Sequence, residues 1–282
     1  MIKVSIITIN YNNKVGLKKT IESVIKQDFN SFEFIVIDGG STDGSYDVIQ
    51  EYKNCIDYWV SEPDKGIYNA MNKGIAIAKG EYCNFMNSGD CFYDNSVLRS
   101  IFSNKREELC DIIAGNTYWT EWVKAPSNIT MDFMFNGTIC HQCAFIKRYL
   151  LLKHYYDENL KIVSDRKFFI QALIFENCSY EAIDVNVVIY DLNGYSSNNR
   201  TLSDLEYQQV LEELIPSRIL ADYGKKKIGP LYGHTYYEKL FIEIGKRQYR
   251  IIVYSFVVLL IRFISIFKKS ARFIFLYPIR LK

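Results

Sequence analysis

The 282-residue chain has no internal repeat, no low-complexity linker and no acidic residue beyond Glu243. No G-x-G-x-x-G follows its first apolar run, which excludes the dinucleotide fingerprint, and no G-K-[ST] occurs, which excludes a P-loop. The N-terminus lacks the order of basic region, apolar run and small-residue cleavage site that marks a signal peptide. Its seven cysteines are odd in number and scattered, so a reduced cytosolic compartment is expected. Cys140 and Cys143 form a CxxC, yet no second ligand pair stands at metal spacing and His141 inside the loop does not supply one. These thiols read as small hydrophobes rather than as a zinc or redox pair.

What is present is a globular composition, 49% apolar and 23% charged, which excludes disorder, collagen-like repeats and coiled coil for the whole chain. The 22 Tyr and 18 Phe are an aromatic excess that fits carbohydrate stacking and membrane contact equally well. The net charge of +2 hides an asymmetry. Nine of the 34 basic residues lie beyond Glu243, leaving 25 against 32 acids and a net of −7 for residues 1–243. An acidic body argues against nucleic acid as a partner, and a basic, apolar tail points to an anionic membrane surface. Within that tail Ile251 to Phe267 carries the single charge Arg262. A helix of that length spans about 25 Å, short of the ~30 Å hydrocarbon core, so an interfacial helix is expected rather than a clean span.

Residues 2–9 are a short β-rich apolar run that empties into Asn10-Tyr11-Asn12-Asn13, and 15–27 carry Leu17, Ile21, Val24 and Ile25 as one helical stripe. A second strand, 32–37, leads into Asp38-Gly39-Gly40-Ser41-Thr42-Asp43-Gly44, where Ser41, Thr42 or Asp43 can cap a helix over 45–52. A strand near 56–60, a helix ending at Gly80 and a strand over 81–86 continue the alternation, which predicts a parallel α/β sheet. Runs at 112–118 and 143–147, a helix over 164–177 with Ser164 as N-cap, a strand over 182–190 and a surface helix over 203–222 follow. Three polar loops, after residues 9, 37 and 86, thus sit at carboxyl ends of strands, where open parallel sheets bind ligands.

The Asp38 carboxylate can accept an N–H from a planar base or cap the next helix. Asp90, beside Asn87, Ser88 and Gly89, can share a hard divalent cation with a diphosphate or close a turn. The stretches VSIITINYNN (4–13), VIDGGSTDGS (36–45), SEPDKGIYNAMNKGIAIAKGEY (61–82), FMNSGD (85–90), CHQCAFIKRYLL (140–151) and YDENLKIVSDRKFF (156–169) occur in this order. Together they resemble the family 2 glycosyltransferases of the GT-A fold, in the bacterial subgroup that builds capsule, O-antigen or exopolysaccharide. Two departures stand out: Asp38-Gly39 where most of that family has Asp-Asp, and Asn87-Ser88-Gly89-Asp90 where most has a D-x-D cluster.

The resemblance implies a nucleotide-binding mixed sheet flanked by helices, with a membrane-associating helical tail. Residues 1–110 would be the nucleotide-sugar half and 111–202 the acceptor half of one domain, with 203–243 a helical extension and 244–282 the tail. Thr8, Asn10, Tyr11, Asp38 and Ser41 would line the nucleotide pocket, Asp64 and Lys65 would lie near ribose and diphosphate, and Asp90 would hold Mg²⁺ or Mn²⁺ on that diphosphate. Asp165 would take the proton from the attacking acceptor hydroxyl, giving inversion, while His141 and Gln142 would shape the acceptor or diphosphate side. The expected activity is transfer from a nucleotide-diphosphate sugar, a UDP-sugar first, to a saccharide carried on a polyprenyl lipid, at the cytoplasmic face of the bacterial inner membrane. A membrane-docked nucleotide binder without chemistry is the alternative. A sugar-nucleotide pyrophosphorylase would need a Gly-rich N-terminal loop with Arg and Lys, which residues 9–19 lack. Self-association is left open.

Overall fold

The computed structural model describes residues 2–103, 110–195 and 199–224. Strand β1 (Val4–Asn10) is buried over all seven residues and lies between two parallel neighbours. Helix α1 (Lys14–Ile25) follows, capped by the Asn13 side chain, which accepts the Gly16 N–H, and it buries Leu17, Ile21 and Val24. Next come β2 (Phe32–Asp38), α2 (Ser45–Tyr52), β3 (Tyr58–Ser61), α3 (Ile67–Ile77) and β4 (Tyr82–Phe85). These strands form the parallel order β3-β2-β1-β4. The register sets Asn10, Asp38 and Ser61 side by side at the carboxyl ends of β1, β2 and β3.

The second half adds β5 (Cys91–Phe92), α4 (Val97–Phe102), β6 (Ile112–Tyr118), β7 (Trp122–Val123), α5 (Met131–Asn136), β8 (Ala144–Lys147) and α6 (Arg148–Lys153). It ends with α7 (Ser164–Phe169), β9 (Tyr180–Ile189), α8 (Arg200–Leu214) and α9 (Ser217–Gly224). The sheet continues antiparallel from β4 through β8 to β6, then β9 runs parallel to β6 and β5 closes the edge, with β7 hairpinned onto β6. The expected mixed sheet flanked by helices is therefore present, and both halves contribute to it. All seven cysteines are free thiols.

Four expectations need correction. The helix over 45–52 has Gly44 as its N-cap, φ 90°, with no side-chain cap hydrogen bond, so none of Ser41, Thr42 and Asp43 holds that position, and Asp43 Oδ1 accepts the Ser45 N–H from one residue further out. The helix over 203–222 is two helices, because Pro216 has no N–H to give and forces Ile215 into an extended conformation. The helix over 164–177 keeps α geometry only to Phe169 and widens into a π turn over Ile170–Phe175. Ser164 is not its cap: Val163 holds that position, and the Ser164 hydroxyl accepts the Asp157 N–H instead. Among the described residues no helix is long and apolar enough to cross a membrane. The expected tail at 244–282 lies outside the described residues.

Since Leu17 is fully buried on the inner stripe of α1, Leu17→Ala is expected to lower the unfolding free energy by about 2–5 kcal/mol. Urea denaturation of the full chain reads this, and a loss under about 1 kcal/mol would mean that α1 does not rest on the sheet.

Candidate active site

The register that aligns Asn10, Asp38 and Ser61 also wires them together. Asp38 is fully buried. Its Oδ1 accepts Asn10 Nδ2 at 2.7 Å and the Ser41 hydroxyl at 2.6 Å, and its Oδ2 accepts the Ser61 hydroxyl at 2.6 Å and the Ser41 N–H at 3.0 Å. Burial alone would raise this carboxyl, but the hydrogen bonds from Ser41, Ser61 and Asn10 outweigh it and hold Asp38 below its ordinary value. Asn10 Oδ1 in turn accepts the Ser88 hydroxyl, Asn13 Nδ2 donates to the Ser88 carbonyl, and the Ser41 hydroxyl accepts the Asn12 N–H. The loops after β1, β2 and β4 are thereby stitched into one floor. Thr8 lies beneath it, buried inside β1, its hydroxyl donating to the Met86 carbonyl at 2.7 Å.

Gly39 is a close-approach position. A Cβ there would meet Asp64 Oδ2 at 2.5 Å and the Tyr11 ring at 3.2 Å, so glycine lets these two side chains converge over the loop and a larger residue would push the Asp64 carboxylate aside. Tyr11 is 68% exposed, a ring free to present a face. Asp64 accepts the Gly66 N–H, and Lys65 stands exposed beside it. Asn10, Tyr11, Asp38, Ser41, Asp64 and Lys65 are thus brought to one end of the parallel half, with the buried Thr8, Asn10 and Asp38 beneath the surface as support and Tyr11, Asp64 and Lys65 reaching it.

The second group hangs on the loop 86–90. Asp90 is buried; its Oδ2 accepts Gln142 Nε2 at 3.0 Å and its Oδ1 accepts the Asp191 N–H at 2.7 Å. Burial pushes the Asp90 carboxyl up to about 6 against the pull of those two donors and of His141, and the Asp191 carboxylate adds to the rise. His141 and Gln142 are delivered by a tight turn before β8, fixed by Asn84 Nδ2 donating to the Gln142 and Ala144 carbonyls. His141 Nδ1 lies 3.0 Å from Asp165 Oδ2 and its Nε2 lies 3.1 Å from Asn87 Nδ2. Asp165, in the first turn of α7, has its Oδ1 3.1 Å from the Tyr68 hydroxyl, which also reaches the Ile162 carbonyl at 2.6 Å. Burial opposes charge on both members of the pair. The shared hydrogen bond and Coulomb attraction win, so His141 is raised and Asp165 lowered from their ordinary values.

Sequence reading missed Ser61, Tyr68 and Asp191. Ser61 and Tyr68 lie inside motifs already noted but at positions that read as strand and helix. Asp191 lies 101 residues from Asp90, and no local signal connects the two. An open cleft of about 600 Å³ beside α1, lined by Lys14, Lys18, Lys19 and Tyr93 among others, shares no lining residue with this constellation.

Among the described residues no group of three or more His, Cys, Asp or Glu side chains could hold a metal unaided. The residues do fit a cation shared with a phosphate ligand. The Asp191 carboxylate presses onto Gly89, whose φ of 105° and bare Cα leave it room, so two hard carboxylates flank one residue. The buried Oδ1 of Asn87, two residues earlier, has no hydrogen-bond partner.

The Glycosyl transferase family 2 profile matches residues 5–176. An uncharacterized glycosyltransferase of Mycobacterium tuberculosis (strain ATCC 25618 / H37Rv) is 30% identical over 261 residues, covering 86% of this chain and 98% of that protein. A PGL/p-HBAD biosynthesis glycosyltransferase of Mycobacterium bovis is 26% identical over 213 residues, covering 72% of this chain and 81% of the relative. Among solved structures, S. aureus TarS 1–349 in complex with UDP-GlcNAc superposes with a TM-score of 0.60 at 19% identity, over 74% of this chain and 67% of that one. Mannosyltransferase PcManGT from Pyrobaculum calidifontis, in complex with GDP-Man and Mn²⁺, gives 0.58 at 15% identity, over 75% and 63%. Of the longer S. aureus TarS crystal structure the chain spans 40%. The chain belongs to glycosyl transferase family 2, a family of transferase enzymes, and its fold is that of neighbours that bind nucleotide sugars.

Removing the Asp38 carboxylate leaves an amide, two hydroxyls and an N–H without their acceptor. Asp38→Ala is therefore expected to lower stability by about 2–4 kcal/mol in urea denaturation, and an unchanged midpoint would show that the seam does not hold the loops. The His141–Asp165 pair has a defined pH signature. His141, raised above 6.5, contributes stability in full below that value and loses it as the pH climbs through its folded value; Asp165, lowered from 3.8, contributes above that value and loses it on acidification. The pair therefore stabilises most between those two ordinary values. With three histidines in the chain, ¹⁵N-histidine NMR can follow His141, which is expected to titrate above 6.5 and to fall below its wild-type value in Asp165→Asn. A midpoint indifferent to that substitution would break the pair.

Proposed function

We propose that the chain is an inverting glycosyltransferase that moves a sugar from a nucleoside diphosphate sugar, UDP-sugars first, onto a saccharide acceptor carried on a polyprenyl lipid. The observation that carries this reading is the arrangement Asn87–His141–Asp165–Tyr68 beside Asp90 and Asp191, on a floor wired through Asp38. Neighbours of the same fold hold UDP-GlcNAc or GDP-Man, and a relative is named for PGL/p-HBAD biosynthesis, which supports a role in bacterial surface glycan or glycolipid assembly. The tail at 244–282, basic and apolar in sequence, would keep the enzyme at the cytoplasmic face of the inner membrane.

In this reading the Tyr11 ring offers a face to the base, and Asp64 and Lys65 stand toward ribose and diphosphate. All four acceptor positions of Asp38 are engaged within the protein. It therefore shapes the base pocket, and meets a base edge only by releasing Ser41 or Ser61. Asp165, kept ionised by His141, takes the proton of the acceptor hydroxyl as that oxygen bonds the anomeric carbon; the bond to the diphosphate breaks on the opposite face and its electron pair leaves with the nucleotide. Tyr68 and His141 fix the carboxylate's orientation from its two oxygens. Mg²⁺ or Mn²⁺ bound by Asp90 and Asp191 would neutralise charge on the leaving diphosphate.

A thermal-shift titration against UDP, GDP, CMP and dTDP, each with and without Mn²⁺, tests the donor class. One nucleotide is expected to stabilise the protein by about 2.7 kcal/mol at a hundredfold excess over Kd, and only with metal; silence from all four would overturn the donor assignment. Asp165→Asn is expected to keep that response while donor turnover falls by about 10²–10⁴. Unchanged turnover would remove Asp165 from the role of base.

A further inference from the structure

Composition left the aromatic excess without a use; the fold collects part of it at one place. The hairpin β6–β7 turns through Trp119, Thr120 and Glu121 and is closed by the Trp119 N–H on the Glu121 carbonyl. Trp119 is 44% exposed, Trp122 36% and the neighbouring Tyr93 46%. They are not loose. Trp122 is packed edge-on between Tyr93 and Tyr118, with ring centroids at 4.9 and 5.3 Å, and Trp119 lies against Tyr190 at 5.5 Å with the planes 30° apart. These contacts, edge-to-face at Trp122 and tilted at Trp119, fix the rings before any ligand arrives, so little ordering entropy remains to be lost on binding.

The strip adjoins the reaction centre. The Tyr190 N–H donates to the Tyr118 carbonyl, and the next residue, Asp191, gives its N–H to Asp90. Exposed rings beside the site suit either a sugar or a bilayer. The rim decides between them. Glu121 sits between the two tryptophans in sequence, the Asn186 amide oxygen and the Asp184 carboxylate both accept from the buried Asn116, and on its Tyr93 side the strip borders the cleft lined by Lys14, Lys18, Lys19 and Lys26. Lys124, the single cation of the hairpin, is paired with Asp184 at 3.2 Å. Carboxylates and amides are hydrogen-bonding partners for sugar hydroxyls, and around the two tryptophans the one nearby cation is already paired, the lysines lying only on the Tyr93 side.

We propose that Trp119, Trp122 and Tyr93 form a stacking platform for the saccharide chain of the acceptor, leading its terminal hydroxyl toward Asp165. Naming the sugar as acceptor rests on the transferase reading above; the sugar-binding strip itself does not. The C–H face of a pyranose lies on an indole face, and the rim takes its hydroxyls.

The chain has three tryptophans, and the third, Trp59, packs on Tyr46 beside the opposite edge strand β3. Intrinsic fluorescence therefore reports chiefly on the platform. The full chain is titrated with chitotetraose, cellotetraose, maltotetraose and α-mannotetraose, and separately with phosphatidylethanolamine–phosphatidylglycerol vesicles at 3:1. At least one oligosaccharide is expected to shift the emission. That affinity should fall about tenfold or more in Trp119→Ala and in Trp122→Ala, recover in part in Trp119→Tyr, and stay unchanged in Trp59→Phe. No shift with any of the sugars, shifts of equal affinity in the variants, or a platform response to vesicles alone would each overturn the proposal. The nucleotide thermal shift, measured on the same variants, is expected to be unchanged, which shows the fold and donor pocket intact. Failure of that shift in the wild-type protein removes the donor assignment and leaves the sugar titration to judge the platform independently.

Discussion

The site depends on one buried carboxylate. Asp38 is fully buried at the end of a strand, where an unpaired charge would cost several kcal/mol, and four donors from three segments make its ionised form the favoured one. Those donors are in reach because parallel pairing is in register from Val4–Phe32 to Asn10–Asp38 and from Ile35–Tyr58 to Asp38–Ser61. A one-residue slip would turn Asp38 to the other face and strand its partners. Sheet register, loop shape and ionisation state are therefore a single constraint, and the apolar runs of β1 and β2 enforce it because both strands are buried on both faces.

Environment sets two other buried site carboxylates, Asp165 and Asp90, apart from each other. Asp165 and Asp90 are both buried, yet Asp165 is held below and Asp90 raised above the ordinary value. The difference is charge: Asp165 meets an imidazole with a shared hydrogen bond, while Asp90 has two neutral donors and another carboxylate nearby. A carboxylate kept ionised can accept a proton, whereas one whose charge is under-compensated gains most from an arriving cation. His141 serves the first and also lowers Asp90, so the turn that carries His141 and Gln142 couples both.

Legibility followed burial and length. The parallel strands β1, β2 and β4 are nearly continuous apolar runs, and each was readable with its terminal loop because loss of apolar pattern marks the carboxyl end. Asp38, Asp90 and Asp165 were readable for the same reason, being acids at element ends, and the order of the motifs supplied their family. Strands β5 and β7 are two residues each, too short for any period to show. Pro216 was visible in the sequence, but it lies inside the polar stretch read as one surface helix over 203–222. Asp191 could not be found locally, since its amide reaches Asp90 only through the pairing of β9 with β5 and β6.

That long-range delivery bears on the thinned acid motifs. Gly39 follows Asp38 and Gly89 precedes Asp90, at the two places where the resemblance leads one to look for a further acid. In both, the volume a side chain would fill is taken by a carboxylate from elsewhere, Asp64 at Gly39 and Asp191 at Gly89. At Gly89 the φ of 105° itself calls for glycine, and at Gly39 a Cβ would displace the Asp64 carboxylate. Each loop thus regains a second carboxylate in space that it lacks in sequence. Asp64 arrives on the turn before α3 and Asp191 at the end of β9, so the carboxylates gathered at these two loops are set by two distant segments closing on them. A pair of acids built this way depends on the folded sheet, which is why the linear motif shows one acid at each loop and the structure two.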